Sequence, residues 1–238
     1  MKNKKIEEVM LEILQAKALE IRDVEQGEEP FYYTSDNRGP GYVSIKNLVG
    51  RKKIIKFLCQ ELAKKVANRV PQLEFVAGNV TGGVIPGWLL SEYLEPLLGK
   101  TVPFVYIRKT RKKGGQEELI TGIANNPEIQ TGANGLVVEE LVNYGQTIYN
   151  GVKAIRQAGY TASHGACILF YNNPDAIKLL KRAGIKMVYL FTLAQLLDIA
   201  EKYQTHPQKL IDDCREFLKE PLDWQRKLKP KEEKKKKK

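Results

Sequence analysis

The spacing of hydrophobic positions changes several times along the chain. Over residues 4–23, Ile6, Val9, Met10, Ile13, Leu14 and Leu19 recur near helical spacing and predict an amphipathic helix. Between 25 and 50 the pattern is interrupted by Gly27, Pro30, Gly39, Pro40 and Gly41. Within that stretch Phe31-Tyr32-Tyr33 and Tyr42-Val43-Ser44-Ile45 read as short strands. Helical spacing returns over 51–69, where Ile54, Ile55, Leu58, Leu62 and Val66 share one face.

From residue 73 short apolar runs alternate with helical ones. LEFVAG (73–78), TVPFVYI (101–107), GLVVEE (135–140), 163–170 and 185–191 read as strands. The segments 84–98, 145–158, 174–183, 192–203 and 206–219 read as helices, and LITG (119–122) as a return strand. This alternation predicts an α/β fold: a doubly wound, mainly parallel sheet with helices on both faces. Ligands of such folds bind beyond the carboxyl ends of the strands. Three of those ends carry polar loops: NVTGG (79–83), RKTRKKGG (108–115) and EELVNYGQT (139–147).

EELVNYGQT places two carboxylates, Glu139 and Glu140, just ahead of a helix start at about Gly145. Free N–H groups and the positive dipole end make a helix start a phosphate cradle. Asn143, Gln146 and Thr147 add side-chain donors. The acids suit hydroxyls or a divalent metal nearby, so the pair and cradle together suit a ribose 5-phosphate. Taken alone, the same residues also read as solvated acids before a capped helix. RKTRKKGG holds five cations in six residues, Arg108, Lys109, Arg111, Lys112 and Lys113, followed by two glycines. It reads as a basic lid over a polyanion such as pyrophosphate, or as an exposed basic hairpin tip. Thr81, Gly82 and Gly83 offer backbone N–H groups for an anion nest. The conjunction describes a site for phosphoribosyl diphosphate.

Composition narrows the remaining classes. The 238 residues contain 42% hydrophobic positions, enough for one medium domain with appendages. No apolar run approaches the roughly 18–20 residues of a membrane span. The charged start MKNKKIEEVMLEIL lacks the apolar core of a signal peptide, which leads us to expect a cytoplasmic protein and no membrane partner. Cys59, Cys167 and Cys214 lie far apart and read as reduced thiols. His164 and His206 sit in no motif, against a histidine-centred triad or zinc site. Net charge is +11, of which KLKPKEEKKKKK (227–238) supplies +6. That low-complexity run is expected to be disordered; it offers nucleic acid a polycation, although a solvated tail is the favoured reading. The expected organisation is a helix and hood segment (1–50), a core (51–220) and a disordered basic tail (221–238).

Taken in order, these parts resemble the type I phosphoribosyltransferases, and orotate phosphoribosyltransferase in particular. The resemblance covers roughly residues 5–220. It rests on FYYTSDNRGPGYVSI (31–45), AGNVTGGVIPG (77–87), the Arg-Lys-x-x-Lys of Arg108, Lys109 and Lys112, the acid-pair strand, and KMVYLFTLAQLL (186–197). It implies a donor bound with Mg²⁺ across its pyrophosphate and ribose hydroxyls, with no direct side-chain metal ligand assigned. Glu139 and Glu140 would hold the ribose hydroxyls, and Asn143, Tyr144, Gly145, Gln146 and Thr147 the 5-phosphate. Arg108, Lys109 and Lys112 would neutralise the departing pyrophosphate. The resemblance also implies a nucleobase acceptor, orotate favoured, and a homodimer whose lid serves the neighbouring subunit. The chain departs from the family pattern at Glu140, where Asp is usual, and at Asn143 and Gln146 in the phosphate loop. It departs again at Gly114, where histidine is common, and at Tyr171-Asn172-Asn173, where an arginine commonly meets the orotate. Those departures motivate a second expectation, a drifted member acting as ligand sensor or nucleic-acid regulator. A third, an unrelated doubly wound nucleotide-binding protein, has no G-x-G-x-x-G or Walker fingerprint behind it.

Overall fold

The computed structural model describes residues 2–33, 37–108 and 118–235. The chain begins with α1 (Lys2–Gln15), followed by β1 (Leu19–Ile21), β2 (Phe31–Tyr32), β3 (Arg38–Gly39), β4 (Gly41–Val43) and a 3-10 turn over Ile45–Gly50. The core continues α2 (Lys52–Arg69), β5 (Phe75–Asn79), α3 (Val84–Leu98), β6 (Phe104–Ile107), β7 (Ile120–Thr121) and β8 (Asn134–Val142). Then come α4 (Gln146–Gln157), β9 (Thr161–Phe170), α5 (Pro174–Arg182), β10 (Lys186–Thr192), α6 (Leu193–Lys202), α7 (Gln208–Lys219) and α8 (Pro221–Lys235).

Six strands form the central sheet in the order β10-β9-β8-β5-β6-β7. All neighbours are parallel except β7, which returns antiparallel to β6, as LITG predicts. The period-two alternation of strand side chains sorts the core into two layers. Val76, Leu136, Val138, Ala166 and Val188 face a core shared with α1, α2, α3, α6 and α7. Phe75, Ala77, Val137 and Cys167 face the other, covered by α4 and α5. The three cysteines are free and buried, and burial pushes the Cys59 and Cys214 thiols up to about 12. No helix among the described residues is long and apolar enough to cross a membrane.

Two expectations about the termini are corrected. The helix expected over 4–23 ends at Gln15. Lys17 takes a left-handed φ of 54°, and Leu19–Ile21 turns into a strand paired antiparallel with Gly41–Val43. Leu19 and Ile21 thereby bury on one side while Glu20 faces outward, a two-residue period that overrides the helical one locally. The tail expected to be disordered from 221 starts instead as helix α8. Pro221 opens it, where a missing N–H costs nothing. Trp224 packs edge-on against Phe217, and Gln225 bonds to the body.

Candidate functional site

Strands β5 and β8 are neighbours, so the loops leaving their carboxyl ends meet. Together they enclose a cavity of about 330 Å³. From the β5 loop come Thr81 and Gly82; from the β8 loop come Glu139, Glu140, Asn143, Tyr144, Gly145, Gln146 and Thr147. Sequence reasoning singled out all nine. Gly83 lies beneath the cavity, against the backbone of Val138. Arg108 does not line the cavity in this conformation: its guanidinium donates to Thr121 Oγ1 (3.0 Å) and Tyr106 Oη (3.1 Å). Lys109 and Lys112 lie outside the described residues.

Consecutive strand residues leave the backbone toward opposite faces, yet the two carboxyl groups still come within hydrogen-bonding reach of each other at the end of β8. Glu139 turns toward α4 with Asn79 and is 7% exposed. Glu140 turns toward the β5 loop and packs its carboxylate directly over Gly82, leaving no room there for a Cβ. Burial, then the charge of Glu140 and a hydrogen bond with it, hold the Glu139 carboxyl well above its ordinary range. Hydrogen bonds from Asn79 and Thr147 oppose that shift without cancelling it. Asn79 is itself fixed by donating from Nδ2 to the Thr147 carbonyl (3.1 Å).

A pH dependence follows. The folded state raises this carboxyl's pKa, so its contribution to stability is complete below the ordinary glutamate value of 4.5 and is lost as pH rises through the elevated folded value. Glu139→Gln removes the titrating carboxyl. Relative to the parent, its melting temperature should therefore rise as pH rises above the ordinary glutamate value. Thermal melts across pH that show a constant difference would rule out a buried charge penalty at Glu139.

The cradle starts at Gly145, whose φ of 79° lets the chain turn sharply into α4. No acidic residue occupies the first turn of α4, leaving its N–H groups to an anion. Ahead of it, Asn173 Nδ2 donates to the backbone carbonyl and Oδ1 of Asn143, each at 3.0 Å. Asn173 is fully buried and also caps α5, accepting from the Ala176 N–H at 2.8 Å. Asn143 Nδ2 is buried and meets no acceptor among the described residues. It is a donor held at the cavity wall.

Residues from the hood and from the end of β9 complete the enclosure. The hood contributes Tyr33, Tyr42 and Lys46, and Tyr171 follows β9. Tyr33 and Tyr171 both donate to the Gly41 carbonyl, at 2.5 and 3.3 Å. Burial pushes both phenols up, so they stay neutral across physiological pH. Sequence reasoning matched the hood segment as a block and assigned no side chain in it. It treated Tyr171–Asn173 only as the place of an expected arginine. The aromatic richness of FYY and GYV was the available signal.

No family model matches the chain. An orotate phosphoribosyltransferase of Rhizobium meliloti is 29% identical over 220 residues, 91% of this chain and 90% of that protein. Among solved structures, orotate phosphoribosyltransferase from Aeropyrum pernix aligns with a TM-score of 0.61 at 22% identity, over 84% of this chain and 99% of that one. The fold is that of the type I phosphoribosyltransferases. UMP synthase of Leishmania donovani aligns with a TM-score of 0.67 at 19% identity, over 89% of this chain and 42% of that longer one. The cavity lies at the carboxyl ends of the central strands of that fold.

Proposed function

We propose that the protein transfers the 5-phosphoribosyl group from phosphoribosyl diphosphate to a base, with orotate giving orotidine 5'-phosphate and pyrophosphate. The observation carrying this reading is the shared cavity: an acid pair and an acid-free helix start face each other in a chain similar to orotate phosphoribosyltransferase over 91% of its length. The N–H groups of the loop from Asn143 to Thr147 bind the 5-phosphate. Glu139 and Glu140 accept from the ribose hydroxyls, and their charge favours the cationic ribose formed as the anomeric bond breaks. Thr81 and Gly82 approach the pyrophosphate through backbone N–H groups.

Arg108, Lys109 and Lys112 neutralise the leaving pyrophosphate, and Arg108 must exchange Thr121 and Tyr106 for it. No cluster of three metal-ligating side chains exists among the described residues. Two carboxylates on the cavity fit Mg²⁺, an ion that keeps several waters and takes phosphate oxygens from its substrate. When bound it supplies charge neutralisation. Ile85 and Trp88 are exposed large hydrophobics in the first turns of α3, a face suited to a second copy and to a shared lid. We assign the reaction to the cytoplasm.

The test is direct. Purified protein with phosphoribosyl diphosphate, Mg²⁺ and orotate should consume orotate, followed by absorbance, with pyrophosphate as co-product. Arg108→Ala or Lys112→Ala should lower turnover by roughly a hundredfold or more, the scale of a lost transition-state charge partner. Calorimetric binding of the donor without turnover on any base would favour the sensor reading instead. Absence of both, in folded protein, would overturn the ribose-phosphate assignment.

A further inference from the structure

The cavity wall is tied to a part of the chain outside the phosphoribosyltransferase core. Gln225, on α8, donates from Nε2 to the Tyr144 hydroxyl (3.2 Å) in the phosphate loop. The same amide nitrogen lies 3.3 Å from Asn37 Oδ1, and Gln225 Oε1 accepts from the backbone N–H of Arg38 at 2.9 Å. Asn37 and Arg38 belong to the hood, where β3 pairs with β2. One side chain therefore holds the phosphate loop with one end of its amide and the hood with both.

Packing supports the same link. Trp224 meets Phe217 edge-on with ring centroids 5.5 Å apart. Phe217 in turn lies 6.2 Å from Tyr33, and Tyr33 lies 6.2 Å from Tyr144. Tyr33 and Tyr144 both face the cavity. This aromatic row gives α8 a fixed seat, and the amide of Gln225 is its polar end. Fixing loops before a ligand arrives reduces the ordering cost of binding.

We propose that Gln225 is a positioning residue: α8 clamps the hood to the phosphate loop and pre-organises the cavity for its phosphorylated ligand. Gln225 touches no ligand itself and acts through Tyr144 and the Arg38 backbone. The ligand named here rests on the phosphoribosyl-transfer reading. The clamp itself is tested without turnover.

The experiment compares full-length parent, Gln225→Ala, Gln225→Glu and Tyr144→Phe by amide hydrogen exchange and by kinetics. In Gln225→Ala, exchange at Arg38 and across 143–147 should quicken by roughly fivefold, the size of one neutral hydrogen bond, while β5 and β9 keep their protection. Gln225→Glu retains the acceptor for the Arg38 N–H and loses the amide donor, so Arg38 should be protected again and the loop should not. A residue that only stabilises the fold would not split the two. With phosphoribosyl diphosphate, Gln225→Ala should raise KM roughly fivefold with kcat little changed, and adding Gln225→Ala to Tyr144→Phe should raise KM by less than it does in the parent. Unchanged exchange at 143–147, or equal quickening in β5 and β9, would overturn the clamp, as would additive effects on KM. If the parent does not use the donor, the functional reading fails while the exchange split still decides the clamp.

Discussion

Glu140→Ala should lower kcat/KM for phosphoribosyl transfer by roughly a hundred- to a thousandfold, with kcat falling about as much. The side chain stands at the end of β8, beside the buried Glu139 and laid over Gly82. In the proposed reaction its carboxylate faces the position where positive charge grows on the ribose, an interaction stronger in the transition state than with the bound donor. The fold should be spared, because Glu140 is only half-buried and supports no packed layer. Glu140→Asp, which restores the acid usual in the family, should retain most activity. Gly82→Ala attacks the same contact from the opposite side. Its methyl would fall 1.7 Å from Glu140 Oε2, so the carboxylate must leave its place. Steady-state kinetics on the three variants, with thermal melts as a control for folding, make the check. Wild-type kcat in Glu140→Ala would remove this carboxylate from the chemistry.

Gly83→Ala should instead damage the fold. A Cβ there would lie 2.1 Å from the Val138 carbonyl oxygen and 2.8 Å from the Asn79 amide nitrogen. Both are backbone atoms of central strands, which cannot rotate aside as a side chain can. Overpacking of this kind costs about 3 kcal/mol or more. At about 2–4 °C per kcal/mol, the melting temperature should fall by about 6–12 °C. The contrast with Gly82→Ala is informative: adjacent glycines, one loss read in kcat and the other in stability. A Gly83→Ala protein that melts with the parent would mean that the β5 loop does not approach β8 as closely as described.

Much of this arrangement was legible without coordinates. The alternation of apolar strands and amphipathic helices predicted the parallel sheet because period two and period 3.6 are backbone properties. The acid pair could be placed at a strand end, and Gly145 at a helix start, for the same local reason. The first error came where local period and tertiary pairing conflict. Residues 16–21 continue a helical hydrophobic pattern, yet Leu19–Ile21 gains ladder bonds from β4 that no local pattern displays. The second came from composition: a lysine-rich tail read as disordered hid Trp224 and Gln225, whose partners lie far upstream.

The chain's sequence by itself determined its elements, the two-sided sheet, and the chemistry available at each strand end. Those depend on residues a few positions apart. Tertiary structure alone decided that β5 lies beside β8, and so which polar loops share a cavity. It decided that Glu139 is buried, against Asn79 and Thr147 beside α4, while Glu140 is left half-buried over Gly82 at the cavity. It also brought Gln225 to Arg38, 187 residues away in sequence, and to Tyr144, 81 residues away. Contacts of that reach are held by the summed burial of the whole core, and no local pattern encodes them.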